Sequence, residues 1–454
     1  MTMTETTVST SPYLSGNFAP VREEVSVDNL PVTGAIPAEL EGRLLRIGPN
    51  PVVDPDPATY HWFTGTGMVH GLWLRGGQAV TYRNRYVRSD TVVEALGGPE
   101  TPGPRHGMGD NTANTNVISH AGSTFAIVEA GGLPVQLTDE LETVARSDFG
   151  GTLPGSYTAH PKRDPLTGEL HAVVYYWEWD YIQYVVVGVD GRVRRSVNVP
   201  VPGGPMVHDC AITESRVVLF DLPVTFDLEM AMTGTGLPYR WNPEYGARVG
   251  LLTREADADS TVWCELDDLC YVYHPLNAYD DGDRVVVDVA VHPRMFDRDR
   301  NGPNEGAPVF ERWTIDPTGR RVGRDVISDR PQEFPRMDER ILGRTHRYGY
   351  TASFAPSSAG GLELGNMLKH DLVTGTMIEH DLGEGRSSQE PIFVPKHADA
   401  AEDEGWVMAY VHDPNRNAAD VVVIDAQDFT APPVATIHLP VRVPYGFHGN
   451  WVPA

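Results

Sequence analysis

This chain is poor in cysteine, in positive charge and in long apolar runs. Its three cysteines are Cys210, Cys264 and Cys270 in 454 residues. An odd, sparse set without a Cys-x-x-Cys spacing excludes a disulfide-stapled scaffold and a cysteine-based zinc module. Cys210, two residues after His208, reads as a small buried residue, with a metal ligand or redox thiol as the alternative. Lys and Arg number 36 against 62 Asp and Glu, a formal net charge of −26. Nucleic-acid phosphates and anionic lipid headgroups are bound by basic surfaces, so no nucleic-acid partner is expected, and any membrane contact has to be apolar. No stretch approaches the roughly 18 apolar residues of a membrane-crossing helix. Residues 1–15 are rich in Thr and Ser and have no basic stretch ahead of an apolar run. They read as a flexible tail rather than a secretory leader, before a single domain over residues 16–454 of a cytoplasmic protein.

What the chain does have is β-structure. Val-rich and Ile-rich runs such as Ala172–Trp177, Val185–Val187, Arg216–Phe220, Val285–Val289 and Val421–Ile424 alternate with turns at 164–168, 190–191, 316–319 and 371–375. β-branched runs closed by Asp-Gly or Thr-Gly are hairpin signals. The unit recurs loosely, as in Lys369–Gly375 and Thr314–Gly319, and strand-dense chains of this length with repeated hairpins suggest a β-propeller. The 37 prolines and 45 glycines argue against long helices. Short helical turns are expected near Asp139–Val144 and Asn242–Tyr245.

Four of the 16 histidines stand in short motifs suited to hold them: Ala159-His160-Pro161, Val207-His208-Asp209, Tyr273-His274-Pro275 and Phe447-His448-Gly449. Proline after His160 and His274 biases both toward extended backbone, and glycines at 446 and 449 permit close backbone approach around His448. The intervals of 48, 66 and 174 residues (160 to 208, 208 to 274, 274 to 448) match no local metal motif. These imidazoles meet only if a circular fold brings strand ends to one axis, where an all-imidazole site suits a transition metal, iron included. His106, His346 and His412 read as structural. Glu129, Glu333 and Glu390 each lie close to apolar residues, and a buried carboxylate needs a partner. That partner is either the free N–H of a metal-bound imidazole or a nearby arginine, Arg336 in the case of Glu333.

The chain resembles the carotenoid cleavage oxygenase family from about Gly42 to its C-terminus. The likeness is carried by Gly42–Pro51, His61–His70, Ala159–Lys162, His208-Asp209 ahead of Asp221-Leu222-Pro223, His274–Tyr279, Glu333–Arg336, Arg347–Tyr350, Glu390–Pro395 and Pro444–Trp451. It implies an all-β, seven-bladed β-propeller, with short helices and long loops capping the metal-bearing face. It further implies one Fe(2+) per subunit, bound by His160, His208, His274 and His448, with Glu129, Glu333 and Glu390 behind the histidines. Which glutamate serves which histidine is left open.

The implied reaction is scission of an alkene C=C by O2 into two carbonyl products, with a carotenoid or apocarotenoid as substrate. A lignostilbene or stilbenoid substrate, a propeller that binds a polyene without turning it over, and isomerisation of a retinoid ester are the alternatives. A closed four-histidine zinc site leaves no position for O2. Stilbenoid-cleaving members of the family place a lysine just before the first glutamate, where this chain has Val128, so the polyene is preferred. Val128, Met206, Tyr273, Phe334 and Phe447 are the candidate lining of a substrate tunnel, with ordinary core packing as the alternative. A membrane-dwelling polyene calls for an apolar entrance, and the segment 222–238, with Phe226, Leu228, Met230, Met232 and Leu237, is the candidate for transient membrane-surface contact.

Overall fold

The computed structural model describes residues 11–454 apart from positions 108, 235, 304 and 357–361. The β-branched runs form strands because they suit a pleated surface. Strand Arg284–His292 is buried from Val285 to its end, and Ala418–Asp425 is buried as far as Ile424. Both are covered on both faces, so they read in sequence as continuous apolar runs rather than as alternating ones. The run beginning at Ala172 leaves the strand after Val174. The turn at Asp190-Gly191 joins Tyr181–Val187 to Val193–Pro200, and Gly191 takes the left-handed backbone the turn requires, φ 75°.

Hydrogen bonding groups the described strands into sheets of five, four, eight, six, four and four strands, plus a two-stranded ribbon. The architecture is all-β and propeller-like, as expected. The expected seven separate units are not seen: the described strands form six larger sheets and the two-stranded ribbon. The eight-stranded sheet consists of two four-stranded meanders, one opening with Cys210–Ile212 and the other with Tyr271–Asp281. Their outer strands touch through a single parallel pair, Glu265 with Arg321.

Two pairings close the circle. Gly42–Pro49 lies antiparallel to the C-terminal strand Gly449–Pro453, with Arg46 opposite Gly449. Val32–Gly34 pairs with Ala435–His438. At the first junction the backbones nearly touch. A Cβ added to Gly48 would stand 2.4 Å from the Gly446 Cα, and one added to Gly446 would stand 2.8 Å from the Gly48 Cα.

The α-helices among the described residues are Asp90–Leu96 and Leu228–Thr233. The second starts where the Asp227 side chain accepts from the Met230 N–H at 2.9 Å and stops at Gly234, φ 67°. The helical turn expected at Asp139–Val144 does not form. Leu141 takes φ 69° and a strand, Thr143–Arg146, begins within the segment. Asn242–Tyr245 is a turn closed by Tyr245 N–H on the Asn242 carbonyl at 3.1 Å. No described helix is long and apolar enough to cross a membrane. Of the expected tail, residues 1–10 lie outside the described residues, while Pro12–Leu14 is a 3-10 turn with Tyr13 buried.

Candidate metal centre

Each of the four histidines sits in, or beside, an edge strand of its sheet. His160 is two residues ahead of Lys162–Arg163, His208 two ahead of Cys210–Ile212, and His448 directly ahead of Gly449–Pro453. His274 lies within Tyr271–Asp281, where the pairing with the next strand slips between Val272 and Pro275. Proline, which has no N–H to offer the ladder, accounts for that slip. The edge strands converge, and all four side chains are buried, with one ligand nitrogen from each falling within 4.8 Å of the others.

The structure resolves which carboxylate serves which imidazole. His208 Nδ1 is 2.8 Å from Glu129 Oε1, His274 Nδ1 is 2.7 Å from Glu333 Oε2, and His448 Nδ1 is 2.9 Å from Glu390 Oε1. The local ion pair between Glu333 and Arg336 does not form. Arg336 reaches instead to Glu390 at 3.2 Å and to Glu339. Two of the glutamates are followed by non-glycine residues in left-handed backbone, Ala130 at φ 59° and Phe334 at φ 55°. Each such residue costs about 1–3 kcal/mol, and around Phe334 the strand pairing slips between Glu333 and Arg336. His160 has no glutamate. Asp209 Oδ2 stands 3.7 Å from its Nδ1, too far for a hydrogen bond, and is held by Lys162 Nζ at 2.8 Å.

These contacts define what the centre can hold. An imidazole that donates its Nδ1–H to a carboxylate presents a lone pair at Nε2. His208 Nε2 and His274 Nε2 face each other at 3.2 Å, and His160 Nε2 is buried without a hydrogen-bond partner. Two ligands at about 2.1 Å from one first-row ion stand roughly 3.0–3.4 Å apart, so the spacing suits a shared cation. The electrostatics agree. Burial lowers His160 well below its usual range, helped by the neighbouring histidines, and lowers His448 to about 3 against the pull of Glu390. Burial also opposes the protonation of His274, but Glu333 outweighs it and raises that group. Burial pushes Glu333 and Glu390 upward, yet His274 with His292, and Arg336 with His448, hold the two carboxyls well below the usual range. The carboxylates therefore favour positive charge at the middle of the cluster, and the four-histidine group can bind a metal ion.

The histidines open onto an apolar cavity of 160 Å3, whose lining includes His208, His274 and His448. All five expected tunnel residues, Val128, Met206, Tyr273, Phe334 and Phe447, line it. A separate, more polar cavity of 520 Å3 reaches His160, His274 and His448 and is walled by Lys162, Asp209 and Arg336. Cys210 is buried and free, and burial raises its thiol to about 12, so it is a packing residue. His346 is likewise structural, with Nε2 3.0 Å from Asp288. Sequence reasoning missed two contributors. His292 Nε2 is 2.9 Å from Glu333 Oε1. A following proline, as at His160 and His274, was its only local signal. Tyr13, counted with the tail, is a wall of the apolar cavity and stacks on Trp62 with ring centroids 5.6 Å apart.

A propeller-like protein with a buried four-imidazole centre facing an apolar cavity is the class that fold and site define. Residues 18–453 match the RPE65 family model, retinal pigment epithelial membrane protein. The carotenoid cleavage oxygenase of Mycobacterium tuberculosis is 45% identical, over 100% of each chain. Among solved structures, a lignostilbene dioxygenase of Pseudomonas brassicacearum superposes with a TM-score of 0.90 at 30% identity, covering 98% of this chain and 99% of that one. Cobalt-substituted Synechocystis apocarotenoid oxygenase gives 0.85 at 26% identity, covering 96% and 97%. The chain belongs to the RPE65, or carotenoid cleavage oxygenase, family.

Proposed function

We propose that this chain is a non-haem iron dioxygenase that cleaves a C=C bond of a carotenoid or apocarotenoid with O2, one oxygen atom going to each of the two carbonyl products. The observation that carries the reading is the junction of the histidine cluster with the apolar cavity: His208, His274 and His448 face both the shared centre and the cavity. The metal ligands in this reading are His160, His208, His274 and His448. Fe(2+), one per subunit, supplies O2 activation when bound. Four neutral imidazoles suit such an ion, and three carboxylates offset its charge.

The chain's own residues bind and orient. Glu129, Glu333 and Glu390 hold the Nδ1 protons of their histidines and so fix each ring and its tautomer. Phe63, Phe334, Phe447 and Met206 favour an apolar conjugated chain beside the centre. Val128 lines the cavity and offers no charge to a phenol, which favours the polyene. The likeness to a lignostilbene dioxygenase keeps a stilbenoid substrate as the second reading.

A seven-bladed count belongs to this proposal. It is supported by the one-residue link between the two meanders of the eight-stranded sheet, which divides it naturally into two blades. Residues 16–454 then form one domain. A cytoplasmic enzyme meeting a membrane through the segment 222–238 fits the exposure of Leu228 (60%) and Met232 (80%) and the presence of Leu237 in the cavity wall.

The deciding experiment incubates protein loaded with Fe(2+) under anaerobic conditions with O2 and either an apocarotenal or a hydroxystilbene, and follows carbonyl products by mass spectrometry. Two carbonyl fragments from the polyene are expected. Scission of the stilbene alone replaces the substrate, and tight binding of both without products replaces the enzyme with a carrier.

A further inference from the structure

Tyr273 carries a group that cleavage of a bare hydrocarbon does not use. It directly precedes His274, is 4% exposed and lines the apolar cavity. Its ring stands edge-on to His208 at 4.8 Å between centroids and to His292 at 5.2 Å. Its hydroxyl is buried with no hydrogen-bond partner among the described residues.

Several polar groups around it are already committed, while Glu129 Oε2 and His292 Nδ1 are also buried without a partner. Tyr271 Oη donates to the Met206 carbonyl at 3.0 Å, and Tyr445 Oη is paired with Ser387 Oγ. Glu129 Oε1 and both oxygens of Glu333 face imidazole nitrogens. Phenylalanine would fill the same space without burying an unpaired polar atom. Native structures rarely leave such an atom unpaired, and one at a cavity wall beside a reaction centre is accounted for by a ligand that completes it.

We propose that Tyr273 is a specificity-determining residue: its hydroxyl donates a hydrogen bond to an oxygen atom of the substrate. The cavity thereby selects conjugated substrates that carry a carbonyl or hydroxyl oxygen over hydrocarbons of the same shape. The inference rests on the reading of this cavity as the substrate site.

The test measures binding rather than turnover. Full-length protein and Tyr273→Phe, both loaded with Fe(2+) and kept anaerobic, are titrated with two matched pairs: a hydroxystilbene with the parent stilbene, and an apocarotenal with a polyene hydrocarbon of equal length. Binding is followed by quenching of tryptophan fluorescence, since Trp62 lines the cavity. Wild type is expected to hold the oxygenated member of at least one pair about tenfold more tightly, the size of one neutral hydrogen bond. Which pair shows the preference tells whether the oxygen is a phenol or an aldehyde. Tyr273→Phe is expected to bring that ratio close to one while keeping its iron content and its affinity for the hydrocarbon.

A variant that retains the full ratio overturns the inference, and so does one that weakens both members equally. If wild type cleaves a substrate yet the variant's ratio is unchanged, only the role of Tyr273 falls. If wild type binds none of the four compounds, the cavity is not the substrate site and both proposals fall.

Discussion

The Nε2 atoms of His208 and His274 point at each other across 3.2 Å, while behind them the Nδ1 atoms are engaged by two different carboxylates, Glu129 and Glu333. Two lone pairs at that distance repel unless a proton or a metal cation lies between them. His274→Ala is therefore expected to lower bound iron from one ion per chain to none by elemental analysis, and to abolish cleavage. Added Fe(2+) should raise the melting temperature of wild type and leave that of the variant unmoved. A fully active variant would refute the assignment of His274 as a ligand.

Glu390 has three partners: His448 Nδ1 at 2.9 Å, the Gly449 N–H at 3.0 Å and Arg336 at 3.2 Å. Glu390→Gln preserves shape and one acceptor oxygen but removes the charge. A folded protein is expected, with iron held about 10–100-fold more weakly in a chelator competition. Unchanged affinity would show that the charge does not support the centre.

Val128 stands on the cavity wall one residue before Glu129. Val128→Lys should raise kcat/KM for a hydroxystilbene by about tenfold, one hydrogen bond's worth, with no gain for the stilbene that lacks the hydroxyl. Equal rates before and after the change would mean that this position does not choose the substrate.

Gly446 and Gly48 meet backbone to backbone, so no side chain can swing aside for an added methyl. Gly446→Ala is expected to cost about 1–3 kcal/mol in denaturant unfolding. Iron retention should fall as well, because His448 lies two residues further on. Gly109→Ala, whose new methyl meets nothing within 4 Å, is the control. If both variants unfold at the wild-type midpoint, the closure is more pliable than its contacts indicate.

Leu228 and Met232 expose apolar side chains on one short helix. Changing both to aspartate should weaken sedimentation with neutral phosphatidylcholine vesicles several-fold, while turnover of a water-dispersed hydroxystilbene stays the same. Identical sedimentation would remove this helix from the membrane reading.

The sequence alone determined the residue types of the centre. The His-Pro pairs at 160 and 274, the glycines around His448 and the apolar settings of Glu129, Glu333 and Glu390 were visible within a few residues of each side chain. The β-branched runs and Asp-Gly turns likewise marked most hairpins, because strand propensity and turn chemistry are local. Local signals also misled where tertiary packing overrode them, as at Asp139–Val144, which read as helical but turns into a strand, and at Tyr13, which read as tail but packs on Trp62. Only the tertiary structure decided the pairing of imidazoles with carboxylates. The nearby Arg336 looked like the partner of Glu333, yet it serves Glu390, and Glu333 binds His274 and His292. Those partnerships depend on edge strands brought together when the strand at Gly42–Pro49 pairs with the one at Gly449–Pro453. A contact between opposite ends of a chain leaves no trace in the few residues on either side of it, so ring closure, and not local sequence, assigned the partners.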